Sequence, residues 1–147
     1  MADKRTYASC RVGDLLVGVE VDAVQEVTFG SALTPVPLAP FVVNGLLNLR
    51  GQIVTAIDLR RSLGLPDRAV DARPIHVVLR AEGGAVSLLV DSVGDVLEVD
   101  EEDFERASGR LQSGREEVVT GAYKLDRGLL LILDTERLVE KSDANRN

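Results

Sequence analysis

The side chains best suited to catalysis, cysteine and histidine, each occur once in this sequence, as Cys10 and His76. Both fall in alternating, strand-like runs. A single histidine without a cysteine partner cannot build a zinc site from the usual ligands, and a single cysteine forms no intramolecular disulfide. We interpret His76 as a satisfied or half-exposed strand residue and Cys10 as a small buried apolar residue.

Carboxylates form one dense run, Asp100-Glu101-Glu102-Asp103. Because consecutive acids point in several directions, the run favours a solvated helix start, stabilised by the helix dipole, over a calcium site. The sequence contains neither a Gly-rich phosphate loop nor a G-x-S-x-G nucleophile elbow. It therefore predicts no catalytic residues, no metal site and no cofactor.

Binding to another protein is what the block at residues 45–65, GLLNLRGQIVTAIDLRRSLGL, suggests instead of catalysis. Its Arg50 stands between Leu49 and Gly51 at a predicted strand–turn boundary, where a long side chain projects from the end of the strands. The planar guanidinium suits a carboxylate, and arginine is enriched at interfaces. Arg50 is therefore a candidate partner-binding residue; the alternative is an ordinary solvated turn arginine.

Glu26 is a second candidate, in the strand-like segment AVQEVTF. Val24 and Val27 are three positions apart, so one faces the core and the other faces outward. If Val24 is the outward one, an apolar side chain and a carboxylate stand together on one edge. The alternative for Glu26 is an ordinary strand-surface charge.

Four further residues are predicted to shape the backbone. Gly45 and Gly51 lie at strand ends, where a positive φ or a close backbone approach calls for glycine. A missing side chain also lets a partner's backbone come close, and the two interpretations are compatible. Asp58 and Asp134 each precede a short helical pattern and are predicted to cap that helix.

Alternating apolar residues around short glycine-containing turns predict β-hairpins rather than helices. The predicted turns are Gly13-Asp14, Arg50-Gly51, Glu82-Gly83-Gly84 and Asp126-Arg127-Gly128. Three prolines in SALTPVPLAPF rule out a regular strand ladder there. The polar, proline-bounded LPDRAVDARP is predicted to connect two halves of the chain.

The two halves resemble each other. VDAVQEV (21–27) aligns with VDSVGDV (90–96), and GLLNLRGQIVTAIDL (45–59) aligns with GAYKLDRGLLLILDT (121–135); the alternative is a chance alignment of Val-rich strands. Each half has about five short strands, and closing them into a small barrel leaves no unpaired edge strand. We therefore predict a mainly β fold of two small five-stranded barrels, with short helices at the seams.

Composition excludes several function classes. The 147-residue chain has 17 Lys and Arg against 24 Asp and Glu, a net charge of −7, which opposes binding to phosphate backbones or anionic lipid. Five aromatic residues in all (three Phe, two Tyr and no Trp) provide few platforms for stacking bases. The N-terminus lacks an apolar core of signal-peptide length, and no apolar run approaches the roughly 20 residues that span a bilayer. A reduced, cytoplasmic protein is expected.

The chain resembles CheW-like domains, which carry in the same order the counterparts of VGVEVDAVQEV, LTPVPLAPFVVNG, LLNLRGQIVTAIDLRRSLGL, VSLLVDSVGDVLEV and VVTGAYKLDRGLLLILDTERL. The resemblance runs from about Tyr7 to Val139, and NLRG…DLR…LGL is its most specific part. The chain departs from the commonest pattern at Thr55, where many members carry proline, a change that is conservative for a strand. The family implies two five-stranded, SH3-like barrels.

CheW-like proteins are bacterial chemotaxis adaptors that couple chemoreceptors to the histidine kinase CheA. The resemblance therefore implies a non-enzymatic adaptor at receptor arrays on the inner membrane. One barrel surface would meet the kinase's regulatory domain, and the groove between the barrels would receive the helical tip of a receptor. By resemblance, the partner-facing surface contains Val24, Glu26, Gly45, Arg50 and Gly51. An ion pair between Glu26 and Arg50 would add only about 0–1 kcal/mol, and its use would be to orient Arg50.

The expected organisation is a single domain over residues 7–140 with a polar tail at 141–147. The first barrel is expected over roughly residues 15–66 and the second over the remainder, and the N-terminal strand can be shared between them. The alternative function is a specialised paralogue in a non-flagellar chemosensory or surface-motility pathway, contacting one of the two usual partners. An attached receiver domain is not expected, and neither is a nucleic-acid partner nor direct membrane insertion. An enzymatic or small-molecule-binding barrel would need polar groups converging in a pocket.

Overall fold

A computed structural model describes residues 3–30, 32–107 and 115–143. Eleven strands and two α-helices occur in these ranges, with single 3-10 turns at Val21–Ala23, Glu101–Asp103 and Arg115–Glu117. The strands are β1 (Lys4–Val12), β2 (Leu15–Glu20), β3 (Val24–Phe29), β4 (Val43–Leu49), β5 (Gln52–Asp58), β6 (Ile75–Ala81), β7 (Gly84–Val90), β8 (Ser92–Asp100), β9 (Glu105–Arg106), β10 (Val119–Leu125) and β11 (Gly128–Leu133). The helices are α1 (Leu59–Ser62) and α2 (Thr135–Ser142).

The strands form two sheets, which confirms the predicted fold class. One sheet has six strands in the order β8-β1-β2-β11-β10-β9, and the other has five in the order β3-β6-β7-β5-β4. The sixth strand, β9, has only two residues. All four predicted hairpins are present, each with a two-residue loop between its last paired residues.

Each half of the chain gives its first hairpin to the sheet of the other half. The hairpin β1–β2 joins β8, β10 and β11, while β6–β7 joins β3, β4 and β5. The pairings are equivalent: β1–β8 and β3–β6 are antiparallel, whereas β2–β11 and β5–β7 are parallel. The hydrogen-bonded groups thus support the internal repeat but do not coincide with a partition at residue 66. That partition into subdomains stays a prediction.

Three apolar clusters hold the fold together. One lies within each sheet, and the largest draws on strands of both sheets, on Leu59 and Leu138 of the helices and on Leu63, which directly follows α1. Cys10 belongs to this largest cluster, and burial raises the pKa of its thiol to about 11, so it is a buried apolar residue as predicted. A core shared by both sheets fixes them relative to each other, because separating them would expose its aliphatic surface.

His76 is a satisfied buried residue, as one of the two interpretations had it. The side chain is only 2 % exposed, and its Nδ1 lies 3.0 Å from the Ser87 hydroxyl oxygen. Burial, together with the charge of Arg68, lowers the pKa of the imidazole, which therefore stays neutral at physiological pH.

Both predicted helix caps are confirmed. Asp58 accepts hydrogen bonds from the backbone N–H groups of Arg60 and Arg61, and Asp134 accepts one from Arg137. The acidic run also starts a short helical turn, at Glu101–Asp103. Helix α2 extends through Ser142, into the predicted tail, while residues 144–147 lie outside the described ranges.

A cluster of charges, called here the connector clamp, joins the two sheets to the segment between the halves. It consists of Asp58, Arg60, Arg68 and Asp91. Arg60 makes two hydrogen bonds to the Asp91 carboxylate, at 3.1 and 2.6 Å. The same carboxylate accepts a bond of 2.7 Å from the N–H of Gly13, in the turn of the six-stranded sheet. Arg68, in the connecting segment, donates to Asp58 at 3.2 Å.

The connector clamp should make the free energy of unfolding depend on pH. Burial alone would raise the pKa of Asp91, but the hydrogen bonds from Arg60 and Gly13 and the charges of Arg60 and Arg68 hold it below its ordinary value of 3.8. The stabilisation is therefore complete above about pH 4 and is lost as the pH falls through the lower, folded-state pKa. Urea midpoints measured from pH 6 to pH 2 should fall less steeply for Asp91→Asn than for the wild type. Parallel curves would contradict this role for the carboxylate.

Candidate partner-binding site

Arg50 occupies a strained position at the tip of the β4–β5 hairpin. Arg50 and Gly51 form the two-residue loop, with φ of +53° and +83°. Two positive φ values define a type I′ turn, which favours Asn or Gly at its first central position. An L-residue in this left-handed region costs about 1–2 kcal/mol. Gly51 fits its predicted backbone role, and its N–H donates to Asn48 Oδ1 at 3.0 Å.

The predicted ion pair between Glu26 and Arg50 is confirmed. Arg50 Nη2 lies 3.3 Å from Glu26 Oε2, with the arginine side chain 79 % exposed and that of the glutamate 19 % exposed. Glu26 lies in β3 and Arg50 directly follows β4, and these are the two outer strands of the five-stranded sheet, which share no ladder. The pair therefore spans the open edges of that sheet. Glu26 Oε1 is buried without a hydrogen-bond partner in the described part of the chain.

Val24 is the inward member of the pair of valines considered in the sequence. It is half-buried against the largest apolar cluster, and Arg80 donates to its carbonyl oxygen at 3.3 Å. The outward apolar residues of β3 are instead Val27 and Phe29, 38 % and 67 % exposed. The exposed apolar surface of β3 therefore lies on the face opposite Glu26, because residues alternate along the strand, and Phe29 is a residue that the sequence analysis had not singled out. The alternation along β3 carried the signal for Phe29, two positions after Val27.

Gly45 is buried, and the structure explains why this position requires glycine. A Cβ at this position would lie 2.7 Å from the carbonyl oxygen of Thr34. Thr34, in the proline-rich loop, exchanges two backbone hydrogen bonds of 2.8 Å with Leu46. Gly121, the repeat counterpart, likewise leaves no room for a Cβ beside the carbonyl oxygen of Glu105. The close backbone approach at Gly45 is therefore made by the chain's own loop.

The structure brings three of the five candidate residues together. Glu26, Arg50 and Gly51 meet at one end of the five-stranded sheet. Val24 is instead half-buried against the core, and Gly45 is covered by the proline-rich loop.

An open cleft with both polar and apolar walls lies beside the same sheet. It is bounded by the proline-rich loop, the β4–β5 hairpin, the β6–β7 turn and α2, and its aliphatic walls include Val36, Val43, Leu46, Ile53 and Val139. The space between the two sheets is filled by the largest apolar cluster.

Neither a membrane-spanning helix nor a metal cluster is found among the described residues. No helix there is long and apolar enough to cross a bilayer, and no three His, Cys, Asp or Glu side chains converge as a metal site.

Comparison with known proteins matches this chain to one family. The family model described as CheW-like domain matches residues 6–143. The chain is 35 % identical over 101 residues to a chemotaxis protein CheW of Rhizobium meliloti, covering 69 % of this chain and 65 % of that protein. It is 29 % identical over 133 residues to a chemotaxis protein CheW of Thermotoga maritima, covering 90 % of this chain and 86 % of that one. The crystal structure of the scaffolding protein TtCheW from Thermoanaerobacter tengcongensis superposes with a TM-score of 0.79 at 25 % identity, covering 91 % and 90 % of the two chains.

Proposed function

This chain belongs to the CheW-like domain family, whose members are scaffolding adaptors in chemotaxis rather than enzymes, and on that premise we propose that it couples chemoreceptors to a CheA-type histidine kinase. The cytoplasmic tip of a receptor and the regulatory domain of the kinase would be its two partners. The complex would lie in the cytoplasm, at receptor arrays on the inner membrane. The observation that carries the proposal is the exposed Arg50, held in a strained turn and oriented by Glu26.

The surface around Arg50 is proposed to bind the kinase. Backbone strain persists where the surrounding structure enforces it, and such sites cluster where proteins bind. The positive φ of Arg50 destabilises the folded protein, and its exposed ion pair with Glu26 offsets this by about 0–1 kcal/mol at most. Arginine is among the residue types that dominate interface energetics, and the side chain of Arg50 is 79 % exposed.

The cleft beside the five-stranded sheet is proposed to bind the receptor. A helix that enters a groove places residues at i, i+3, i+4 and i+7 against aliphatic walls. The cleft supplies such walls from the first half of the chain and, through Val139, from α2 of the second half. Glu82, at the β6–β7 turn, adds an acidic group to its lining.

Signalling in this proposal is geometric. The shared core and the connector clamp hold the two sheets as one scaffold, so a partner in the cleft and a partner at Arg50 keep a fixed relation. A change in the receptor would then alter the placement of the kinase without any chemical step in the adaptor.

The proposal is tested by measuring each partner separately. Isothermal titration calorimetry with the purified regulatory domain of a CheA-type kinase, and with a receptor cytoplasmic hairpin, should show saturable binding of both. Binding of one partner alone would favour the specialised paralogue. Absence of both would overturn the adaptor proposal.

A further inference from the structure

The β4–β5 hairpin differs from the other three described hairpins in the conformation of its turn. Both central residues, Arg50 and Gly51, have a positive φ, which makes it a type I′ turn. In the equivalent hairpin of the second half, β10–β11, the central residues are Asp126 and Arg127, both within the described ranges, and neither has a positive φ. The repeat of the strands therefore does not by itself impose the left-handed turn that carries Arg50.

Asn48 supplies this turn with a hydrogen bond that the second hairpin lacks. Its Oδ1 accepts a bond of 3.0 Å from the Gly51 N–H. Lys124 stands at the equivalent position of β10–β11, and an ammonium group has no acceptor. Asn48 pairs with Ile53, one step before the closing pair of its hairpin, so its side chain reaches over the turn from the end of the ladder.

The hydrogen bond fixes the peptide group between Arg50 and Gly51. This peptide contains the Gly51 N–H, so its orientation sets ψ of Arg50 and φ of Gly51. Turning the peptide over would direct the N–H away from Asn48 and break the bond. A turn with a negative φ at Arg50 would relieve the strain of that residue, and the net contribution of one hydrogen bond is similar in size to this strain. The bond is therefore large enough to decide which turn is populated.

The same turn determines where the guanidinium of Arg50 lies. The direction of the Cα–Cβ bond depends on the backbone dihedral angles, and in this turn Arg50 Nη2 lies 3.3 Å from Glu26 Oε2. Glu26 lies in β3 and Arg50 directly follows β4, the two outer strands of the sheet. Because no ladder joins these strands, a change in the direction of the hairpin tip would separate the two side chains.

We propose that Asn48 is a positioning residue for Arg50: it holds the left-handed turn and thereby keeps the guanidinium in the orientation that binds the kinase. The assignment rests on the proposed function, because it takes Arg50 as the residue that contacts the kinase. Asn48 acts on affinity through the fraction of molecules in the competent turn, since that fraction scales the apparent Kd.

Asn48→Ala removes the acceptor and is the first test. The relaxed turn should become populated, and the Kd for the kinase regulatory domain should rise about fivefold. The Tm should fall by about 4 °C or less, because Asn48 is exposed and lies outside all three apolar clusters. The intraresidue NOE between the amide and α protons of Arg50, which are closer at positive φ, should weaken in this variant.

Conservative variants and the equivalent position of the repeat provide the controls. Asn48→Asp and Asn48→Ser keep a side-chain oxygen acceptor, with and without an added charge, and should each bind the kinase domain more tightly than Asn48→Ala. Lys124→Ala should bind like the wild type. In Arg50→Asn the residue suits the turn and the guanidinium is gone, so adding Asn48→Ala should cause no further loss of affinity.

Two results would overturn the role of Asn48 alone. One is unchanged kinase affinity or an unchanged Arg50 NOE in Asn48→Ala, while Arg50→Glu shows its loss of binding. The other is a full further loss when Asn48→Ala is added to Arg50→Asn, which would indicate a direct contact between Asn48 and the kinase. Failure of the wild type to bind the kinase domain would overturn the proposed function together with this role, and the NOE would still report whether Asn48 holds the turn.

Discussion

Arg50→Glu should weaken binding to the kinase regulatory domain by about 30-fold or more, the loss of about 2 kcal/mol expected for a central arginine anchor. The change removes a guanidinium that is 79 % exposed and places a carboxylate opposite Glu26. The core should be unaffected, because Arg50 lies in a turn outside all three apolar clusters. Calorimetric titration of the kinase domain measures the loss, and the receptor hairpin should still bind.

The internal repeat supplies a matched control for this prediction. Arg127 lies in the two-residue loop of the β10–β11 hairpin, the counterpart of β4–β5. Arg127→Glu makes the same charge change at an exposed turn and should leave kinase binding within about twofold. A third variant, Arg50→Asn, suits the type I′ turn and should lose kinase binding without loss of stability. Equal effects of Arg50→Glu and Arg127→Glu would point to net charge instead of a specific contact.

Asp58→Ala should lower the free energy of unfolding by about 3–5 kcal/mol, or the Tm by about 10 °C. Asp58 is 3 % exposed and serves two groups at once, capping α1 and pairing with Arg68. Removing it leaves the Arg68 guanidinium, whose side chain is 12 % exposed, without its nearest counter-charge. Asp91 offers only a more distant partner for Arg68, at 3.5 Å. Urea denaturation followed by circular dichroism measures the effect.

The equivalent cap in the second half separates these two contributions. Asp134 caps α2 through the Arg137 N–H, and no ion pair is found for it among the described residues, so Asp134→Ala should cost only about 1 kcal/mol. Adding Arg68→Met to Asp58→Ala should recover part of the loss, because the stranded charge is then gone. If Asp58→Ala costs no more than Asp134→Ala, the buried pair contributes nothing.

Local features of this fold could be predicted because they depend on neighbours in sequence. The hairpin turns follow from glycine at fixed places in alternating runs, and the helix caps follow from aspartate before a helical pattern. The Glu26–Arg50 pair was also predicted, through the resemblance to CheW-like domains, and is present.

The exchange of hairpins between the sheets could not be predicted from these patterns. The alternation in β1–β2 or β6–β7 identifies the strands and their buried faces. It does not identify the strand with which each hairpin pairs, because the other Val-rich strands have the same pattern. The choice is made by the long-range pairings β1–β8 and β3–β6, which depend on the packing of the whole core. The partition near residue 66 was drawn from sequence order alone and stays a prediction.

Two features of the structure were hidden for more local reasons. The orientation of Val24 was left open because residues three apart on a strand face opposite sides in either arrangement. Leu38, whose φ is +62°, is the third residue of a turn closed between Val36 and Ala39. Its strain was hidden because Pro37 predicts a turn, whereas leucine is not the residue that a type II turn selects. The structure reveals such a position because the observed φ conflicts with the residue type.

The central claim is that one rigid chain holds two proteins at two separate surfaces. Its most direct test is to titrate the receptor cytoplasmic hairpin into the adaptor alone and into the adaptor saturated with the kinase regulatory domain. Similar affinities and a complex containing all three components are the predicted result. Displacement of the kinase domain by the hairpin would show that both partners use one surface, and would contradict the account.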